Sequence, residues 1–184
     1  MKKSIFATLC ILIIILMAFC LSSCKSRTDE MVDLETYTTK QMTETKKHVI
    51  KCINEQDKEG LKKLFSKDAQ KHIEDLDSKL DQLINTFNGN KIESAKGRDP
   101  NFEGSAQAQP LHIFGKYHLK LSNGDKYILF INTCDIDEDN KDREGIYQLV
   151  ILTFSSEEVP EDFRMEGTNN DYGIFIYSKD GTLL

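Results

Sequence analysis

The spacing of apolar residues changes along this chain, and that change limits the fold more than any other feature. Helical spacing of three to four residues is clearest in one stripe of six residues, Ile73, Leu76, Leu80, Leu83, Ile84 and Phe87. Shorter helical patterns precede it, from about Thr43 and again after Asp57, a candidate N-cap. Beyond Lys91 the spacing becomes two, which predicts a short strand at Ile92 and strands over 113–121, 126–134, 146–154 and 174–177. This order predicts an α+β domain over residues 43–184, with three N-terminal helices packed on a curved antiparallel sheet of four to five strands.

The turn Ser122-Asn123-Gly124-Asp125 predicts how the first two long strands pair. A two-residue turn centred on Asn-Gly places three pairs on the helix-facing side: Leu119 with Ile128, Tyr117 with Phe130, and Gly115 with Asn132. The strand at 146–154 is apolar on both faces, so each face needs cover, one of them from a loop or from a second copy of the chain. Residues 96–110 are expected to form a long polar loop.

The amino end has the pattern of an export signal. Lys2 and Lys3 precede the apolar run Ile5–Leu21, and Leu21-Ser22-Ser23-Cys24 follows directly. This motif resembles the lipobox of bacterial lipoproteins, which implies a signal peptide over 1–23, cleavage before Cys24, and a lipid on the Cys24 thiol. The polar stretch 24–42 is then expected to be a flexible tether between the lipid and the domain. The predicted location is the extracytoplasmic face of a cell membrane, with the lipid as the attachment.

The charge excludes one class of partner. The formal net charge is −6, and removal of residues 1–23 takes away Lys2 and Lys3 and no acidic residue, which gives −8. A nucleic-acid binder needs a clustered basic surface, so nucleic acid is not an expected partner.

The residue patterns predict no metal, cofactor or catalytic group. Asp135, Asp137 and Asp139 have the alternation of a calcium loop, but Asn140 and Ile146 stand where that loop requires Gly and Glu, which favours a solvated acidic hairpin loop. The four histidines show no metal-ligand spacing. Cys52 and Cys134 are expected to be buried, unreactive thiols, although export leaves a disulfide between them open.

The stretch Ile50–Phe65, IKCINEQDKEGLKKLF, resembles the opening of nuclear-transport-factor-two-like (cystatin-like cone) domains. With the lipobox and the strand-rich tail, the chain is similar to uncharacterised Gram-positive lipoproteins of that fold. The resemblance implies a cone formed by the sheet around the helices, with Tyr117, Phe130 and Asn132 as its ligand-contacting residues. Because no Asp or His joins them there, the resemblance favours non-catalytic binding of a small amphiphile. Two alternatives stay open: a protein-interaction or homodimer surface on the outer sheet face, and a cone-type isomerase or hydrolase.

Overall fold

The computed structural model describes residues 27–104, 110–155 and 172–184. The chain divides into two compact units between Thr36 and Tyr37. In the first unit the described backbone is helical, and the Thr36 hydroxyl donates to the carbonyl of Val32 at 2.8 Å. The second unit contains the sheet and the helices packed on it. The predicted signal peptide and Cys24 lie outside the described residues.

Four helices come first: α1 (Arg27–Glu55), α2 (Lys58–Leu64), α3 (Lys67–His72) and α4 (Leu76–Asn85). The Asp57 side chain caps α2 as predicted, accepting from the Gly60 amide at 2.8 Å. The prediction of one unbroken helix along the stripe from Ile73 is wrong, because α3 ends at His72 and Asp75 takes a left-handed φ of 52°. Ile73 and Leu76 are both buried on either side of this break, so the apolar stripe persists while the backbone does not.

The start of α1 corrects the predicted tether. Helix α1 begins at Arg27 and not near Thr43, and within the second unit Thr38 and Met42 are already 0% and 1% exposed. These two residues lie one turn apart, and Val49 and Ile53 continue the same face. One small polar residue and one methionine are too sparse a pattern to predict a buried face, because the residues between them are polar.

Six strands form one curved, open sheet, which confirms the predicted fold class. The strands are β1 (Ile92–Gly97), β2 (Asn101–Glu103), β3 (Leu111–Leu121), β4 (Lys126–Ile136), β5 (Gly145–Leu152) and β6 (Gly173–Tyr177). Their order is β1-β3-β4-β5-β6, with β2 also pairing with β3. All the pairs are antiparallel except β5–β6, which is parallel. The predicted loop over 96–110 is therefore partly strand: β1 extends to Gly97 and β2 spans Asn101–Glu103, while residues 105–109 lie outside the described part.

The hairpin register differs by one residue from the prediction. Tyr117 pairs with Leu129, whereas the sequence predicts Phe130. The turn has three residues and not two: the Leu121 amide donates to the Asp125 carbonyl at 2.9 Å, and Gly124 has a φ of +93°. Since a shift of one residue moves a side chain to the other face, Phe130 and Asn132 lie on the face opposite Tyr117.

Both faces of the sheet carry apolar side chains, as the pattern of the predicted strand 146–154 indicates. On the helix side, the odd-numbered residues of β3 face α1: a Cβ added to Gly115 would lie 2.9 Å from the Met42 sulfur. On the opposite face five residues form a second cluster, Ile128, Val150, Leu152, Phe154 and Tyr177, each 1–3% exposed. Because a single chain already buries this cluster, its burial does not require a second copy.

Candidate ligand-binding cleft

A cleft of about 200 Å³ opens at the end of the sheet where β3, β4 and β5 meet. Its lining consists of five side chains: His112, Cys134, Arg143, Tyr147 and Tyr172. His112 and Cys134 are paired across β3 and β4, and Arg143 lies in a short 3-10 turn, Lys141–Arg143, just before β5. Tyr172 directly precedes β6. Residues far apart in the sequence therefore meet at one end of the sheet.

Two irregularities in strand pairing create this cleft. Leu111 pairs with Ile136 and His112 with Cys134, which leaves Asp135 as an extra residue in β4. Between β4 and β5 the pairing again skips one residue, and the unpaired residue is Tyr147. Such bulges turn side chains away from the regular alternation and are frequent beside functional sites. Here they turn Tyr147 toward His112.

The aromatic rings form the walls of the cleft. The Tyr147 ring meets the His112 ring edge-on, with centroids 5.5 Å apart at 89°, and meets the Tyr172 ring at 6.3 Å and 84°. The Tyr172 ring also stacks on the His72 ring of α3, with centroids 5.1 Å apart at 14°. These edge-to-face and stacked contacts hold the rings in fixed orientations.

The charged groups beside the cleft are linked through Arg143. Its guanidinium lies 3.5 Å from Asp137 Oδ2 and 3.9 Å from Asp68 Oδ2, so one cation lies between two carboxylates. Asp68 also accepts a short hydrogen bond from the Tyr172 hydroxyl. Asp137 is 3% exposed, and its Oδ1 accepts from the Asn140 amide at 2.9 Å. The expectation of a solvated acidic loop is therefore wrong for Asp137, which folds back into the protein because backbone amides and Arg143 compensate its charge.

Three buried polar atoms have no hydrogen-bond partner among the described residues: His112 Nδ1, Tyr147 Oη and Asp137 Oδ2. Two of them belong to side chains that line the cleft. Tyr147 is only 5% exposed, so its hydroxyl is withdrawn from bulk water as well. Buried polar atoms are nearly always hydrogen-bonded in folded proteins, and an exception calls for an explanation such as a ligand or an ordered water.

Burial shifts the pKa values of three cleft residues, His112, Tyr147 and Cys134, in the direction that favours their uncharged forms. It lowers the pKa of His112 below its ordinary 6.5, against the opposing charge of Glu103 and with a smaller contribution from Arg143. It raises the pKa of Tyr147 to about 12 and that of the Cys134 thiol to about 11. A histidine and a thiol that are both neutral do not form the ion pair that activates a cysteine nucleophile.

The residues predicted to contact ligand do not come together. Tyr117 lies under α1, with the Lys46 ammonium 4.7 Å above its ring. On the opposite face, Phe130 packs beside Lys116, and the Asn132 amide donates to Gln148 Oε1 at 2.6 Å. The register shift accounts for this separation, since the prediction depended on Tyr117 and Phe130 being paired.

The two cysteines, the metal-ligating residues and the helix lengths can also be compared with the structure. Cys52 and Cys134 are buried and free, as the buried-thiol interpretation expects. Within the described residues no group of three or more His, Cys, Asp or Glu side chains could hold a metal ion. In the same part of the chain, no helix is both long enough and apolar enough to span a bilayer.

A larger depression of about 490 Å³ lies at the hairpin end of the sheet, beside Gly124, Lys126 and Tyr127. None of the three unpartnered buried atoms lies among its lining residues. Volume alone would favour this depression, but the unsatisfied hydrogen-bonding groups mark the smaller cleft as the candidate site.

Comparison with known proteins identifies a family. A family model described as a domain of unknown function (DUF5104) matches residues 48–155, more than half of the chain. No curated protein sequence matches. The matched region runs from α1 past the end of β5 and contains every residue that lines the cleft except Tyr172. The chain belongs to the DUF5104 family, a family of domains of unknown function.

Proposed function

We propose that this protein is an extracytoplasmic lipoprotein, held to a membrane by lipid on Cys24, whose domain binds a small molecule. The binding site is the cleft lined by His112, Cys134, Arg143, Tyr147 and Tyr172, named here the His112–Tyr147 cleft. The proposal moves the binding site away from Tyr117, Phe130 and Asn132. It keeps the prediction that the domain binds a molecule and does not transform one.

The amino-terminal sequence supports the anchor. The basic pair Lys2-Lys3, the apolar run Ile5–Leu21 and the Leu-Ser-Ser-Cys motif stand in the order that lipoprotein export requires. Each buried methylene of an acyl chain contributes about 0.8 kcal/mol, so the two chains of a diacylglyceryl group suffice for stable attachment. The acidic domain itself is not attracted to an anionic bilayer, which leaves the lipid as the means of attachment.

Intact mass tests the anchor. The wild-type chain, expressed in bacterial cells and extracted from membranes, should begin at Cys24 and carry the added mass of a diacylglyceryl group. The Cys24→Ala variant should accumulate as the unlipidated precursor, whereas Cys20→Ala, which changes the neighbouring cysteine of the apolar run, should be processed normally. A wild-type protein without acyl groups would refute lipidation.

One observation carries the binding proposal: the Tyr147 side chain lines a cleft, and its buried hydroxyl has no hydrogen-bond partner among the described residues. An unsatisfied buried hydroxyl costs about 1–3 kcal/mol, and a ligand that bonds to it recovers part of that cost. Thiolate catalysis gains no support, because burial and neighbouring carboxylates raise the pKa of Cys134 to about 11. The nuclear-transport-factor-two-like relationship is part of the proposal and is supported by the order of helices before a curved sheet.

A fragment library tests binding at the cleft. Fragments of about 8–14 non-hydrogen atoms, at millimolar concentration, are added to the full chain and followed by thermal shift. We expect stabilising fragments whose effect is clearly smaller in Tyr147→Phe and unchanged in Tyr127→Phe, a matched loss of one hydroxyl at the far end of the sheet. If every stabilising fragment acts equally on both variants, the cleft is not the binding site.

A further inference from the structure

We infer that the cleft takes an uncharged, ring-shaped molecule carrying hydroxyl or amide groups, about the size of one monosaccharide unit. The inference rests on the proposed function and narrows it to a ligand class. Size, wall chemistry, hydrogen-bonding capacity and charge each contribute to it.

The volume of the cleft limits the ligand to one ring. At about 30 Å³ for each water molecule, a cleft of about 200 Å³ holds about seven waters, roughly the volume of one substituted six-membered ring. Tyr147 and Tyr172 form two of its walls at nearly a right angle. Aromatic faces at fixed angles suit a compact ring, which contacts them over a broad area, better than a flexible chain.

The unpartnered atoms determine the polar groups of the ligand. A neutral imidazole has one nitrogen that donates and one that accepts, and a tyrosine hydroxyl can do either. Two side chains that line the cleft, His112 and Tyr147, therefore supply both donor and acceptor capacity, at Nδ1 and Oη, which have no partner in the described part of the chain. Hydroxyl and amide groups complement such a pair, because each supplies donor and acceptor together. An ammonium can only donate, and a carboxylate can only accept.

The charge arrangement disfavours ions of either sign. A cation entering the cleft would meet the Arg143 guanidinium in the lining. An anion would find that guanidinium already between Asp137 and Asp68, at 3.5 Å and 3.9 Å. Either ion would also lose hydration in a small cleft, where Arg143 repels a cation and is already paired with carboxylates before an anion enters. A neutral ligand avoids both costs.

Histidine NMR tests this ligand class on the full chain. The protein is labelled at histidine Cε1 and held in a polyoxyethylene detergent, whose headgroup is neither a sugar nor an ion. The chain has four histidines, so four signals are expected, and His112→Gln assigns the relevant one. The probes are methyl glucoside, choline and cyclohexanecarboxylate, which are respectively neutral, cationic and anionic.

Methyl glucoside should shift the His112 signal and leave that of the exposed His118 in place. For a ligand of about 13 non-hydrogen atoms with ordinary binding efficiency, its Kd should be about 1 mM. Tyr147→Phe should weaken binding about fivefold to tenfold through the loss of one hydrogen bond. Tyr127→Phe should leave it unchanged, and unaltered His48 and His118 signals without probe show that each variant is folded.

The outcomes separate the ligand class from the function. If choline or cyclohexanecarboxylate shifts His112 and methyl glucoside does not, the neutral-ring class is wrong while binding at the cleft stands. If no probe shifts His112, the class is likewise overturned, and the fragment library decides the binding function independently. A methyl glucoside shift that is equal in wild type and Tyr147→Phe contradicts the assigned contact.

Discussion

Replacing Tyr147 with Phe removes one oxygen atom, and we expect the ligand-free protein to become more stable. The hydroxyl belongs to a side chain that is 5% exposed, and it has no hydrogen-bond partner among the described residues. A buried polar group in that condition costs about 1–3 kcal/mol, and an ordered water would offset part of this cost. Phe keeps the ring contacts with His112 and Tyr172, so packing is preserved. We therefore expect the free energy of unfolding to rise by about 1 kcal/mol and Tm by about 2–4 °C.

Urea unfolding followed by circular dichroism measures this change, and Tyr37→Phe is its matched control. The Tyr37 hydroxyl donates to Asp135 Oδ2 at 2.5 Å, so removing it should lower the free energy of unfolding by about 1–2 kcal/mol. The same substitution, Tyr to Phe, is thus expected to raise the free energy of unfolding at position 147 and to lower it at position 37. A loss of 1 kcal/mol or more in Tyr147→Phe would show that its hydroxyl is bonded in the folded protein, which would remove the main support for the cleft.

Two further predictions follow from named contacts. Because burial holds the pKa of folded His112 below 6.5, the unfolded chain binds the proton first as pH falls, so stability should decrease as pH falls below about 7. Urea titrations over these pH values should show a flatter dependence in His112→Gln. Gly145→Ala should destabilise by about 2–3 kcal/mol, since Gly145 has a φ of +131° and a Cβ there would lie 2.8 Å from the Ser66 amide nitrogen. Gly124→Ala, at +93° with open space around it, should cost about 1 kcal/mol in the same assay, and equal losses would contradict the steric argument.

The periodicity of apolar residues predicts most of the fold, because helices and strands each bury one face at a fixed spacing. It fails where few apolar residues carry the burial. Within the second unit, Thr38 and Met42 are buried on one face of α1, although no stripe of apolar residues marks that face in the sequence. It fails again where the backbone breaks inside a continuous stripe, as at the left-handed Asp75 between α3 and α4.

The cleft could not be predicted from the same pattern. Asn123-Gly124 correctly indicates a hairpin, but a turn of three residues in place of two shifts the pairing and moves Phe130 to the other face. The bulges at Asp135 and Tyr147 are invisible in the spacing, because each inserts one residue into an otherwise regular alternation. Tyr172 lies beside the cleft because it directly precedes β6, and β6 pairs with β5.

A crystallographic fragment screen tests most directly whether the His112–Tyr147 cleft is a ligand site. We expect bound fragments to concentrate in the cleft, with a polar atom within about 3 Å of the Tyr147 hydroxyl. Neutral fragments should outnumber charged ones among them. Fragments that bind elsewhere on the domain and leave the cleft empty would contradict this assignment. So would an electron-density map in which the Tyr147 hydroxyl is hydrogen-bonded to another group of the protein.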